Sequence, residues 1–157
     1  NGICCGAGLD WVTTGDIVIA SDQATFFDPH VSIGLVAGRG MVRLARVLPR
    51  SVALRMAIMG KHERMTPQRA YELGLITEIV QHDRLLERAH EIADIVNRNA
   101  PLAVRGTRLA IIKGREIPMH EAEILAEAFR ERNLHTEDSL EGPKAFVEKR
   151  APEWQCR

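Results

Sequence analysis

The chain of 157 residues has the length of one domain or a large part of one, and its apolar fraction of 45% is enough for a hydrophobic core. Lysine plus arginine (21) equals aspartate plus glutamate (21), which argues against a nucleic-acid-binding or membrane-surface protein, because either would need net basic charge. No apolar run reaches the ~18 residues of a membrane-spanning helix, and no signal peptide is visible.

Three cysteines, two of them adjacent, form neither a disulfide framework nor a set with zinc-ligand spacing. The sequence therefore predicts a protein of the reducing cytoplasm without a metal site. Cys4 and Cys5 are expected to be small buried side chains.

Small residues at Gly6, Ala7 and Gly8 are predicted to open a helix, followed at once by Asp10. The first backbone N–H groups of a helix have no partner inside it, so this position attracts negative charge. The same residues also suit a tight strand-to-helix turn with no ligand. His30 follows twenty residues later, so an acid and an imidazole are both available for moving a proton.

The other elements predicted up to residue 62 are strands at 17–20 and 24–26, a helix over 41–48 ended by Pro49, and a helix capped by Ser51 and stopped by Gly60. From residue 63 onward the pattern predicts mainly helices. They begin at Thr66-Pro67, Asp83, Pro101, Pro118 and Thr136, with one strand at 76–80 between the first two.

We therefore divide the chain into 1–62, which carries the candidate site, and a mostly helical region, 63–157. The late helices have apolar stripes but little sheet to cover. They either form a small core of their own or pack against a neighbouring subunit, and both can hold.

Three ordered stretches carry a family resemblance. They are Asn1-Gly2-x3-Gly6-Ala7-Gly8-x-Asp10 with the Gly-rich segment through Gly40, then Met65-Thr66 to Val80, and finally Glu141-Gly142 to Trp154. Together they resemble the crotonase (enoyl-CoA hydratase/isomerase) superfamily along the whole chain. The resemblance implies an α/β fold, namely the later part of the crotonase ββα spiral followed by a helical trimerisation region. It also implies that the family's N-terminal half is missing.

The resemblance implies an enzyme that binds acyl-CoA thioesters and stabilises their enolate with two backbone N–H groups. One of these maps to Ala7, where the family usually has glycine; the other would precede Asn1. Gly38 is assigned by analogy as a backbone N–H that positions water. The small residues at 6–8 suit the binding of the thioester oxygen, because a thioester must lie almost against the backbone there.

The catalytic pair departs from the family pattern. Hydratases use two glutamates to hold and deprotonate water, and these positions fall at Asp10 and His30. Asp10 is one methylene shorter, while His30 keeps the capacity for proton transfer and can form an ion pair with Asp10. Each residue also has a structural alternative, a first-turn acid for Asp10 and a hydrogen-bonded loop residue for His30. Asp28 is expected to be a turn residue before Pro29.

The most direct expectation is hydration or dehydration of an enoyl-CoA by this Asp/His pair. The alternatives are an isomerase or other lyase, a β-diketone or ring-opening hydrolase, and a non-catalytic acyl-CoA-binding homologue. Family hydrolases use an aspartate in the later glycine turn, where this chain has Arg39, which weakens that alternative.

Phe146 and Lys149 match family positions that hold the CoA nucleotide. Three residues apart on a helix, they would share a face that suits an adenine and a phosphate. The alternative is a core phenylalanine beside a solvated lysine. The resemblance further implies a homotrimer or dimer of trimers, with coenzyme A thioester as substrate and no separate cofactor.

Overall fold

A computed structural model describes all residues 1–157, which form two compact units, 1–90 and 91–157. The first unit is α/β and contains four short strands, β1 (Ile3–Cys5), β2 (Ile19–Ser21), β3 (Thr25–Phe27) and β4 (Glu78–Val80). Its helices are α1 (Ala7–Thr14), α2 (Arg39–Val47), α3 (Arg50–Met59) and α4 (Pro67–Glu72), and α5 (Leu85–Asn97) crosses into the second unit. The predicted α/β class is confirmed.

The strands pair in parallel, β1 with β3 and β2 with β4. In the first pair Cys5 lies opposite Phe27, so both strands end at the same level. Whatever follows Cys5 and Phe27 must therefore meet at one edge, which is where α/β folds place their ligands. This register brings the start of α1 close to His30.

The core of the first unit lies between these sheets and helices α1 to α4. Leu9 of α1, Leu44 of α2 and Ala70 of α4 have no solvent exposure, and Ile76 is 1% exposed. Burying each large aliphatic side chain contributes roughly 1.5–3 kcal/mol. Leu9 and Leu44 thereby hold α1 and α2 in place and fix the two helices that border the candidate site.

The second unit is built from α6 (Pro101–Gly114), α7 (Met119–Leu134) and α8 (Glu137–Glu148). Helices α6 and α7 approach closely at glycines. A Cβ at Gly106 would lie 3.9 Å from Phe129 Cβ, and one at Gly114 would lie 3.3 Å from Ala122 Cβ. None of the helices combines the length and apolar character needed to cross a bilayer.

The chain after α8 is tied back to the start of that helix. The carboxylate of Asp138, which is 3% exposed, accepts hydrogen bonds from the backbone N–H groups of Gln155 (2.6 Å) and Cys156 (3.2 Å). The Trp154 indole N–H donates to the Arg98 carbonyl at 2.9 Å, which also holds this segment in place. We call residues 154–157 the tail.

The predicted helix caps were right at two places and wrong at two. Thr66 and Thr136 each accept a hydrogen bond from the backbone N–H three residues on. Ser51 does not cap α3, because that helix already begins at Arg50, with Pro49 at its N-cap. Asp83 lies inside a 3₁₀ turn, 82–84, that precedes α5 rather than capping it.

Candidate active site

The first element of the candidate site is the start of α1. Gly6 is the N-cap, with a φ of 51°, and no side chain caps the helix. A residue with a Cβ would be strained in that left-handed conformation. Ala7 is the first helical residue and is exposed, so the helix begins with orphan N–H groups on an accessible surface. Such a position favours a developing negative charge.

Asp10 lies in the first turn of the same helix. Its side chain is 43% exposed, yet its Oδ1 atom is buried without a hydrogen-bond partner, and the Arg43 guanidinium of α2 is 3.9 Å away. Gly40 allows this arrangement, because a Cβ at that position would lie only 2.9 Å from Asp10 Oδ1. The position of this carboxylate therefore depends on the close approach of α2.

His30 comes from the segment that follows β3 and begins a short 3₁₀ helix, His30–Ile33. Its ring Nδ1 lies 2.9 Å from Asp28 Oδ1 and 3.0 Å from Oδ2, and its backbone N–H donates to Oδ1 at 3.0 Å. Asp28 is only 2% exposed, whereas the His30 side chain is 35% exposed. The other ring nitrogen, Nε2, has no hydrogen-bond partner in the protein.

The ring of His30 faces the start of α1. A Cβ at Gly6 would lie 3.8 Å from His30 Cε1, an ordinary van der Waals distance. The structure thus places an imidazole beside an uncapped helix start, and the Asp10 carboxylate lies in the first turn of that same helix. The arrangement can stabilise an anion and move a proton beside it.

One expectation about these side chains was wrong. The His30 ring is hydrogen-bonded to Asp28, and Asp10 forms an ion pair with Arg43, so Asp10 and His30 do not pair with each other. Asp28 lies in the turn before Pro29, as predicted, and its carboxylate is buried and hydrogen-bonded to His30. The Asp-x-His spacing was the available signal, because an aspartate bonds the backbone two residues on. Its bond to the imidazole needs the fold.

Gly38, assigned to water positioning, is the N-cap of α2 and is exposed. A Cβ there would meet nothing within 4 Å, so its surroundings are open. The adjacent Arg39 is the first residue of α2. No contact of Gly38 decides its role, which stays a prediction.

The cysteines differ from the expectation of full burial. Cys4 and Cys5 on β1 are half-buried free thiols, and Cys156 is exposed. Burial, followed by the neighbouring Cys5, raises the pKa of the Cys4 thiol. Cys4 is thereby kept in its neutral, unreactive form.

Phe146 and Lys149, assigned to nucleotide binding, lie in the second unit. Phe146 is 85% exposed, which rules out the core alternative. Lys149 ends α8 in a left-handed conformation with a φ of 54°, and its backbone N–H donates to the Phe146 carbonyl at 3.2 Å. The two residues are adjacent in space through this turn but do not share one helical face, which corrects that part of the expectation.

The chain is similar along its whole length to one family of CoA-thioester enzymes. Residues 1–157 match the family described as enoyl-CoA hydratase/isomerase, and the chain belongs to that family. A crystal structure of an enoyl-CoA hydratase/isomerase from Mycobacterium paratuberculosis superposes with a TM-score of 0.98 at 83% identity, covering 100% of this chain and 62% of that one. The expected crotonase fold is thereby confirmed.

Two named relatives are more distant. The carnitinyl-CoA dehydratase of Proteus mirabilis is 35% identical over 100% of this chain and 61% of its own length. The mevalonyl-coenzyme A hydratase sidH of Aspergillus fumigatus is 37% identical over 99% of this chain and 58% of its own length. The chain thus spans about three fifths of the length of the curated relatives it matches.

Proposed function

We propose that the protein hydrates an enoyl-CoA thioester, or dehydrates the corresponding 3-hydroxyacyl-CoA, through a stabilised thioester enolate. Two relatives bear the names of a dehydratase and a hydratase of CoA thioesters, which supports this class of reaction. The observation that carries the proposal is the meeting of the His30 ring and the uncapped start of α1 at one strand edge.

In this mechanism the Ala7 N–H donates to the thioester oxygen as negative charge develops on it. One such backbone donor is typically worth about 3 kcal/mol of the barrier. The methyl group of Ala7 does not obstruct this, since the donor belongs to the backbone and Ala7 is exposed. The second donor comes from a part of the family's fold that lies outside residues 1–157.

Asp10 and His30 form the acid–base pair, and the Gly38 N–H positions the attacking water. Because Asp10 is shorter than a glutamate, the water sits closer to α1 than it would beside the longer side chain. His30 exchanges the proton through Nε2, which no protein group occupies. The reaction uses only proton transfer and charge stabilisation, so it needs no cofactor besides the coenzyme A of the substrate itself.

One observation favours a second candidate. The buried Asp28 beneath the His30 imidazole is the arrangement that general-base activation of water uses, since a carboxylate stabilises the imidazolium that forms. A β-diketone or ring-opening hydrolase would need the same base. Arg39, where family hydrolases have an aspartate, makes this candidate second to hydration.

The test is turnover of crotonyl-CoA by the intact protein, followed as loss of absorbance at the enoyl thioester band. We expect His30→Ala and Asp10→Ala each to lower kcat at least ~100-fold. Thermal stability should change little in Asp10→Ala, because that side chain is partly exposed, and should fall in His30→Ala, because the buried Asp28 carboxylate loses its hydrogen bonds to the ring. Full turnover in either variant excludes that residue from catalysis. A wild-type protein that cleaves a β-diketone but leaves crotonyl-CoA unchanged supports the hydrolase, and tight CoA binding without turnover supports a non-catalytic homologue.

We also propose a cytoplasmic homotrimer or dimer of trimers in which Phe146 and Lys149 contact the CoA nucleotide. The exposed phenyl ring suits an adenine face, and the adjacent lysine suits a phosphate. Light scattering on the intact protein measures the assembly. Phe146→Ala should raise the KM for crotonyl-CoA with little effect on kcat, and an unchanged KM would remove Phe146 from the nucleotide site.

A further inference from the structure

We infer that Asp28 is a positioning residue that fixes the tautomer and ring orientation of His30, so that Nε2 is the nitrogen presented to substrate. This inference rests on the proposed function for its catalytic consequence. Its structural content, the proton on Nδ1, can be measured without any turnover.

With Asp28 ionised, the geometry leaves one arrangement of protons. Both Asp28 oxygens lie 2.9–3.0 Å from Nδ1, and an ionised carboxylate can only accept hydrogen bonds. Nδ1 must therefore carry a proton, whether the ring is neutral or charged. In the neutral ring the lone pair is then on Nε2, which has no protein partner and can take a proton from water or substrate.

The burial of Asp28 supports the same conclusion. A carboxylate that is 2% exposed must be hydrogen-bonded to be tolerated. All the hydrogen bonds of the Asp28 carboxylate are with His30, one with its backbone N–H and the others with its ring. The backbone bond holds the turn, and the ring bond holds the imidazole. One buried group thereby locks both the position and the rotation of the base.

The substitution Asp28→Asn separates the backbone hydrogen bond, which holds the turn, from the ring hydrogen bond, which holds the imidazole. In Asp28→Asn the amide oxygen can still accept from the His30 backbone N–H, so the turn is kept. The new NH₂ group faces Nδ1 and stabilises the opposite tautomer, in which Nε2 carries the proton. If Asp28 only holds the turn, kcat should be unchanged in Asp28→Asn. If it positions the His30 ring, kcat should fall.

The first measurement is ¹⁵N NMR of the intact wild-type protein with labelled histidine, in which His30→Ala identifies the His30 signals. We expect neutral His30 to carry its proton on Nδ1 in the wild type and to shift towards Nε2 protonation in Asp28→Asn. A wild-type His30 protonated on Nε2 overturns the inference. This result is independent of whether crotonyl-CoA is the right substrate.

The second measurement is kinetic. Loss of a carboxylate behind an imidazole base costs up to about 10⁴-fold in kcat, so we expect a fall of ~10²–10⁴-fold in Asp28→Asn and a KM within a few-fold of wild type. In a His30→Ala background the same substitution should have no further effect, because Asp28 acts only through the ring. The exposed Asp83 supplies the control Asp83→Asn, which removes the same charge elsewhere in the unit and should leave kcat unchanged.

The outcomes separate the inference from the proposed function. Normal turnover by Asp28→Asn in an active protein overturns the positioning role and leaves the hydration proposal standing. An inactive wild type with the proton on Nδ1 supports the role of Asp28 and refutes the hydration of crotonyl-CoA. If Asp28→Asn does not fold, the wild-type tautomer alone decides.

Discussion

The substitution Gly40→Ala tests the close approach of α2 to the Asp10 carboxylate. The new Cβ would lie 2.9 Å from Asp10 Oδ1, and ordinary contact begins at 3.4 Å, so the carboxylate must move by about 0.5 Å. A misplacement of about 1 Å in a catalytic group costs roughly 100-fold, which makes a 10- to 100-fold loss of kcat the expected result. The end of a side chain can move without disturbing the helix. Alanine is also favoured over glycine in a helix by up to about 1 kcal/mol, so the stability should change little.

The assay is crotonyl-CoA turnover by the intact protein, together with its thermal unfolding midpoint. Gly106→Ala is the matched control, because the same methyl group there meets only an ordinary contact at 3.9 Å in α6. That variant should keep full activity and be as stable as the wild type or more so. Full activity in Gly40→Ala would refute the reasoning, because it would show that the position of the Asp10 carboxylate is not critical. A large loss of stability would show instead that α2 moves rather than Asp10.

Two further predictions concern the second unit. Asp138→Ala should lower the free energy of unfolding in urea by about 2 kcal/mol, because the backbone N–H groups of Gln155 and Cys156 lose a charged acceptor; an unchanged midpoint would show that the tail does not stabilise the unit. Glu141→Gln should remove an acid-dependent part of stability. The hydrogen bonds from Arg150 hold the pKa of the Glu141 carboxyl at about 2, below its ordinary 4.5. Since the folded-state pKa is lowered, this stabilisation is complete above about pH 4.5 and is lost as the pH falls towards 2. Wild type and Glu141→Gln should therefore converge in stability over that interval, and parallel curves would contradict the assignment.

Local signals were sufficient for most of the fold. Thr66 before Pro67 and Thr136 before an acidic turn act within four residues, so the sequence determines the starts of α4 and α8. Ser51 and Asp83 failed as caps for a similar local reason, since Pro49 and a 3₁₀ turn start the helices differently. Capping residues identify a helix more reliably than they locate its first residue.

The pairing of the charged side chains at the candidate site could not be predicted from the sequence. Gly6 and His30 are 24 residues apart in the sequence, and the register of β1 with β3 brings them into contact. No short-range sequence pattern predicts that contact. The burial of Asp28 likewise follows from the packing around β3, which the turn signal before Pro29 does not contain. Asp10 and Arg43 lie on different helices, so their ion pair depends on the packing of α1 against α2.

The left-handed Gly6 and the tightly approached Gly40 have a consequence for how this site can diversify. Glycines leave room beside the two proposed acid–base residues, and neither Asp10 nor His30 belongs to the hydrophobic core. Asp10 can therefore be exchanged while Gly6 and Gly40 keep the backbone around it, whereas any replacement of His30 has to supply a hydrogen-bond donor to the buried Asp28. The two positions thus differ in how freely they can diversify: the helix position tolerates change, and the loop position is tied to its buried aspartate.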